Sequence, residues 1–226
     1  MKNNSTFAKR AIHYFSSLSH PDFLPKKIET MNPYENKEVQ NIITEFYNKF
    51  FNDNNERIFA LGINPGRFGG GITGVSFTDP VALEKLCGVE NGFHKKREIS
   101  SEFIYKFITL YGGVKKFYSG FFISALFPLA LIKDGLNYNY YDDKKLYKLL
   151  KPAIVENIMA HIEFGARREY AICLGRKNYN YFNEINGEHN LFDKIVVLDH
   201  PRFIMQYKRK QMEKYLNEYL RAFSYR

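Results

Sequence analysis

The chain has 226 residues, of which 45% are hydrophobic and 17% aromatic, enough apolar material for a sizeable core and too much for a disordered chain. Lysine and arginine number 33 against 24 acidic residues, and the resulting net charge of +9 favours polyanionic partners, nucleic acid ahead of anionic lipid. No apolar run approaches the roughly 18 residues of a membrane span, no apolar stretch follows the charged start MKNNSTFAKR as a secretory signal requires, and Cys87 and Cys173 form neither a CxxC pair nor a disulfide framework.

Residues 7–18 place Phe7, Ala11, Ile12, Phe15 and Leu18 at helical spacing. The segment HPDFLPKKIETMNPYEN holds three prolines and reads as an ordered loop. From Glu35 to Phe51 the helical pattern returns. Four short apolar runs, 58–63, 121–126, 170–175 and 194–200, lack strict alternation and suit strands buried on both faces. Between them, a helix is expected from Ser100 or Ser101 to the Gly112-Gly113 pair, and a longer one over 143–164. A last helix covers Tyr207 to Phe223, opened by the basic run Lys208-Arg209-Lys210. Strands alternating with helices predict a three-layer α/β/α sandwich around a mainly parallel four-stranded sheet. The whole chain reads as a single domain, residues 1–34 being a helix and loop packed on it. Ligands of such sheets gather beyond the carboxyl ends of the strands.

The first strand runs directly into NPGRFGGGITGVSF, residues 64–77. It has no Walker lysine-serine pair and its glycines do not spell GxGxxG, which argues against a nucleotide loop. Asn64 before Pro65 is either turn chemistry or an amide that holds a water, and Phe77 is either core or a stacking platform. His200 ends the fourth strand, so it should share a sheet edge with Asn64. Pro201 stops that strand, and Arg202 and Phe203 are expected on an exposed loop, where an arginine and an apolar ring suit nucleic acid. Asp199 could orient or charge the imidazole, or simply solvate the turn.

GINPGRFGGGITGVSF followed by a late HPR resembles the single-strand-selective monofunctional uracil-DNA glycosylases, whose motifs are GMNPGPFGxxxTGVPF and HPSPRN. MNPYEN sits where that family has YNP, FFISALFPLAL where it has FVHNLCPL, and YAICLGR on its penultimate strand, so the likeness runs from about residue 7 to 220. The resemblance implies a DNA glycosylase of base excision repair, acting on a flipped base; with no Cys/His cluster at ligand spacing, no metal is expected, and no cofactor. Asn64 then matches the asparagine that positions the hydrolytic water, and His200 the histidine that donates to the base carbonyl. Phe77 matches the ring that stacks on the base, Gly66 the glycine that leaves room for it, and Arg202 the arginine of the wedge. Gly62, Ile63, Pro65, Ser124 and Ala125 are expected around the base, and Phe203, Lys208 and Arg209 against DNA.

Two departures stand out. Ala125 occupies the place of the family's uracil-reading asparagine, and an alanine cannot pair with a base edge. The loop after His200 is also shorter, HPRF against HPSPR. A DNA-acting monomer in a reducing, cytoplasmic setting is expected. The alternatives are a non-catalytic DNA-binding relative of the same fold and a hydrolase of small molecules or nucleotides.

Overall fold

A computed structural model describes residues 5–224; the first four residues of the charged start lie outside the described part. Helix α1 (Phe7–Ser17) is capped by the Thr6 hydroxyl, and strand β1 (Ile28–Met31) follows. Helix α2 (Lys37–Phe51) starts later than the pattern predicts because Asn36 is its cap, accepting from the Glu38 and Val39 N–H groups. Strand β2 (Ile58–Gly62) leads through the glycine-rich loop, which folds into a short helix α3 (Gly70–Thr73), to α4 (Pro80–Lys85) and α5 (Ile99–Tyr111). Neither predicted serine caps α5; Glu98 does, and Gly112 at φ 119° ends the helix in the left-handed region. Next come α6 (Val114–Gly120), β3 (Phe121–Ala125), β4 (Ala130–Lys133), β5 (Leu136–Tyr138) and the long α7 (Lys144–Gly165). The chain then continues through β6 (Ala171–Leu174), α8 (Arg176–His189), β7 (Ile195–Leu198), α9 (Pro201–Tyr207) and α10 (Met212–Ala222).

The main sheet is the predicted one: four parallel strands in the order β3-β2-β6-β7, in a three-layer α/β sandwich. Strands β2, β3 and β6 are buried throughout, which explains why their sequences do not alternate. A second sheet, β1-β4-β5, is antiparallel and was not anticipated. Its β1 lies in the segment read as a loop, and pairs Ile28 with Lys133 and Met31 with Ala130. Its β4–β5 hairpin turns on Asp134-Gly135, both at positive φ (49° and 73°), the conformation that a two-residue hairpin demands.

The core is unusually aromatic. Phe7, Phe51, Phe59 and Phe122 sit within 4.9–6.0 Å of one another along successive ring contacts. Into this cluster the chain drives a charge, Arg57, whose side chain is fully buried. Its guanidinium lies 4.9 Å from the Phe7 ring centroid and 4.8 Å from that of Phe51. All five N–H bonds are used: Nε donates to the Tyr118 carbonyl, Nη1 to Asp53 and the Asn55 carbonyl, and Nη2 to Asp53 and the Phe50 carbonyl. The residue thereby ties α2, β2 and the end of α6 together.

Arg57→Met keeps much of the volume but strands these carbonyls, so the expected loss is about 3–5 kcal/mol of unfolding free energy. Urea denaturation measures it, and a loss below about 1 kcal/mol removes Arg57 as an organising contact.

Candidate active site

Register brings the two halves of the site together. Gly62 pairs with Ala125, and Leu174 with Leu198, so the carboxyl ends of all four strands meet at one edge of the sheet. Above that edge lies a cleft of about 570 Å³ lined by, among others, Asn64, Gly66, Phe77, Ala125, His200 and Arg202.

Asn64 is held by the backbone of the hairpin. Its Nδ2 donates to the Tyr138 carbonyl at 3.1 Å, and its Oδ1 accepts from the Tyr140 N–H at 3.3 Å. One N–H and one lone pair of the amide remain for a ligand. The carboxamide is therefore fixed in orientation before anything binds.

His200 closes the same cleft as the N-cap of α9. Its Nδ1 accepts the Arg202 N–H at 3.1 Å, which places the ring proton on Nε2. Burial, and then the charge of Arg202, push the imidazole down to about 4. The ring is thus neutral at physiological pH with a single N–H donor. Asp199 does not touch it. That carboxylate pairs with Arg176 at 2.8 and 3.2 Å, while the Asp199 carbonyl accepts from the Tyr219 hydroxyl at 2.6 Å.

The ring of Phe77 lies 5.5 Å from that of His200, tilted by 43°. Its backbone is at φ 54°, a left-handed conformation that a bulky residue enters only under constraint. Part of that constraint is Thr73, whose hydroxyl donates to the Thr78 carbonyl at 2.7 Å. Gly62 supplies the space: a Cβ there would come within 2.7 Å of the Phe77 ring. Gly62 is itself buried, so its place is beneath the Phe77 ring and not on the cleft surface. At Gly66 the nearest neighbour of a Cβ would be the Asn137 amide at 3.7 Å, and the space above it is open.

Ser124 is the clearest correction. Successive strand residues face opposite sides of a sheet, and with Ala125 on the cleft Ser124 faces away. Its hydroxyl lies 2.6 Å from Nε2 of the buried His161 on α7. Beside it, the Asn157 amide donates to the Ala125 and Leu126 carbonyls, at 2.9 Å each. These polar groups support the floor of the cleft from behind.

The segment after His200 also differs from expectation. Arg202 and Phe203 are on helix α9 and not on a loop, because Pro201 suits a first helical turn and His200 caps it. Both line the cleft, with Gln206 and Tyr207 from the next turn. The predicted last helix breaks at Lys208 and resumes at Met212 after a 3-10 turn. Lys208 and Arg209 do not reach the cleft, and Arg209 pairs with Glu102 at 3.3 Å. Residues that sequence reasoning missed include Arg67, Phe68 and Glu98, the hairpin residues Leu136 and Asn137, and Asn139 and Tyr141 just after the hairpin, all on the cleft. The Asp-Gly turn was the available signal for the hairpin.

Among curated proteins no match is found. The crystal structure of wild-type SMUG2 from Pedobacter heparinus superimposes with a TM-score of 0.92, at 41% sequence identity, covering 96% of this chain and 97% of that one. The family model for the uracil DNA glycosylase superfamily matches residues 48–224, and with most of the chain so covered, the protein belongs to that superfamily.

Proposed function

We propose that this DNA glycosylase of base excision repair hydrolyses the N-glycosidic bond of uracil, or of a related deaminated or damaged base, after flipping it out of DNA. The observation that carries the reading is the meeting of Asn64 and a neutral, Nε2-protonated His200 in one cleft, with Phe77 beside the imidazole.

The chemistry follows from what these groups can and cannot do. The bond from C1′ to the base nitrogen breaks with its electron pair leaving on the base, so negative charge grows on the base and positive charge on the sugar. His200 donates its one N–H to the oxygen where that charge collects; a preorganised donor of this kind contributes about 3–4 kcal/mol. Water forms the new bond to C1′ and gives up a proton, which ends on the departed base anion. Asn64 has no basic group and serves to hold that water in line, which suffices because the cationic sugar is strongly electrophilic. Phe77 stacks on the extruded base, and the open space at Gly66 admits it. On the strand side of the cleft, Ala125 offers only a methyl group, so this wall selects by shape and not by paired hydrogen bonds. Arg202 and Phe203 at the mouth meet the DNA from which the base leaves. The same reading takes the chain as a single-domain monomer in a reducing, cytoplasmic setting, in keeping with two buried thiols whose pKa burial pushes up to about 12.

Asn64→Ala and His200→Ala are each expected to slow excision by about 10²–10³-fold while leaving oligonucleotide binding intact. Single-turnover assays on uracil-containing strands, followed by alkaline cleavage of abasic sites, measure this, and wild-type rates in either variant remove that role. Ala125→Asn is expected to raise uracil excision in the same assay; an unchanged rate means that position 125 does not face the base. Since the folded imidazole is neutral until the pH falls to about 4, the pH profile of kcat/KM is expected to show no step near the ordinary histidine value of about 6.5. Activity should decline only as the pH falls toward 4, when protonation of Nδ1 sets it against the Arg202 N–H. A step at 6.5 that disappears in His200→Gln contradicts this assignment.

A further inference from the structure

We propose that Arg67 and Lys96, both ordered on the ring of Phe68, clamp one phosphodiester of the DNA strand whose nucleotide enters the cleft. The proposal takes only the identity of the polyanion from the functional reading above.

Phe68 stands at the cleft mouth, 36% exposed. The Arg67 guanidinium lies 4.6 Å from its ring centroid, and the Lys96 ammonium 3.8 Å from it. Arg67 is held further by donating from its side chain to the Gly135 carbonyl and from its backbone N–H to the Asn137 Oδ1, the latter at 3.0 Å. The hairpin that fixes Asn64 therefore also fixes Arg67. Two cations converge on one ring from separate segments, and among the described residues neither forms an ion pair with a carboxylate. The acid on this rim, Glu98, is committed elsewhere: its carboxylate accepts from the Ser101 N–H and the Ser100 hydroxyl, both at 3.0 Å.

Two cations held on one ring concentrate positive charge at the cleft mouth, and an anion bound there offsets it. Arginine supplies a planar fork for two phosphate oxygens, and lysine a compact charge for a third contact. A strand that delivers a nucleotide into the cleft must carry its backbone over the mouth, between this rim and Arg202 on α9. A phosphodiester is thus the anion that this position meets.

The test measures binding of a fluorescein-labelled single-stranded oligonucleotide carrying one tetrahydrofuran abasic analogue, at several salt concentrations. Arg67→Ala and Lys96→Ala are each expected to weaken binding roughly three- to tenfold at about 0.1 M salt. The double variant should lower the slope of log K against log salt by about 0.7, the value for one phosphate on a single strand. Lys115→Ala, on α6 at the opposite edge of the sheet, serves as the control and should match the wild type. In excision assays both single variants are expected to raise KM more than they lower kcat, since positioning contacts of this kind act on binding. Unchanged affinity and slope overturn the clamp, and so does a slope change of about 1.4 in the double variant, which means two separate phosphates. A wild type that binds steeply with salt but excises no base sinks the glycosylase reading and leaves the clamp to be judged on the variants; variants equal to an active wild type sink the clamp alone.

Discussion

The site depends on a ring of hydrogen bonds that ties the end of β2 to the hairpin and to α8. Asn64 accepts from the Tyr140 backbone; the Tyr140 hydroxyl donates to Asn178 at 2.7 Å; and the Asn178 amide returns to the Gly62 carbonyl at 3.1 Å. Tyr140 and Asn178 are fully buried, so the two bonds of the Asn178 amide are made in a low-dielectric interior where leaving them unmade is costly. The consequence is positional. A carboxamide that works by holding water contributes only if its own orientation is fixed, and here the backbone of a neighbouring sheet fixes it. The small β1-β4-β5 sheet and the residues just after it therefore set the orientation of the Asn64 amide.

The opposite wall obeys the same logic with a different device. A histidine that capped no helix would have a free choice of tautomer, whereas His200 spends Nδ1 on the Arg202 N–H and can present only Nε2–H. Burial and the neighbouring cation hold the ring neutral. A neutral donor suits a leaving group whose charge develops only along the reaction, because its contribution grows as that charge appears. Beneath it, Gly175 at φ 115° brings α8 up to the imidazole, where a Cβ would sit 3.6 Å from that of His200. Both catalytic candidates thus lean on α8, through Asn178 on one side and Gly175 on the other.

How much of this could be read beforehand follows the range of the interactions involved. The four buried strands were legible because an apolar run needs no partner to be recognised, and their common edge then placed Asn64 opposite His200. The antiparallel sheet was not: β1 is four residues long, and what makes it a strand is β4, about a hundred residues later. Ser124 was misplaced for a simpler reason. A motif comparison lists adjacent residues together, while the pleat sends them to opposite faces, so only Ala125 of the pair meets the cleft. Arg202 and Phe203 read as loop because Pro201 ends a strand; the same proline also opens a helix, and local sequence alone does not decide between the two.

The replacement at position 125 shifts where selectivity can arise. A site with a bidentate reader rejects wrong bases inside the pocket, since a mismatch strands buried polar groups. Here the buried polar groups near that wall, Ser124, His161 and Asn157, are satisfied among themselves or by backbone carbonyls, and they impose no pairing requirement on an incoming base. Discrimination then moves to the steps before and after recognition: the cost of extruding the base, which is lowest for mispaired, damaged or unpaired nucleotides, and the ease with which the base departs as an anion. Deaminated bases meet both conditions, because deamination disrupts pairing and adds a carbonyl that stabilises negative charge. On the proposed mechanism, an enzyme of this design acts on the bond without pairing to the base edge, so its range of substrates follows DNA lesion chemistry more than the pocket.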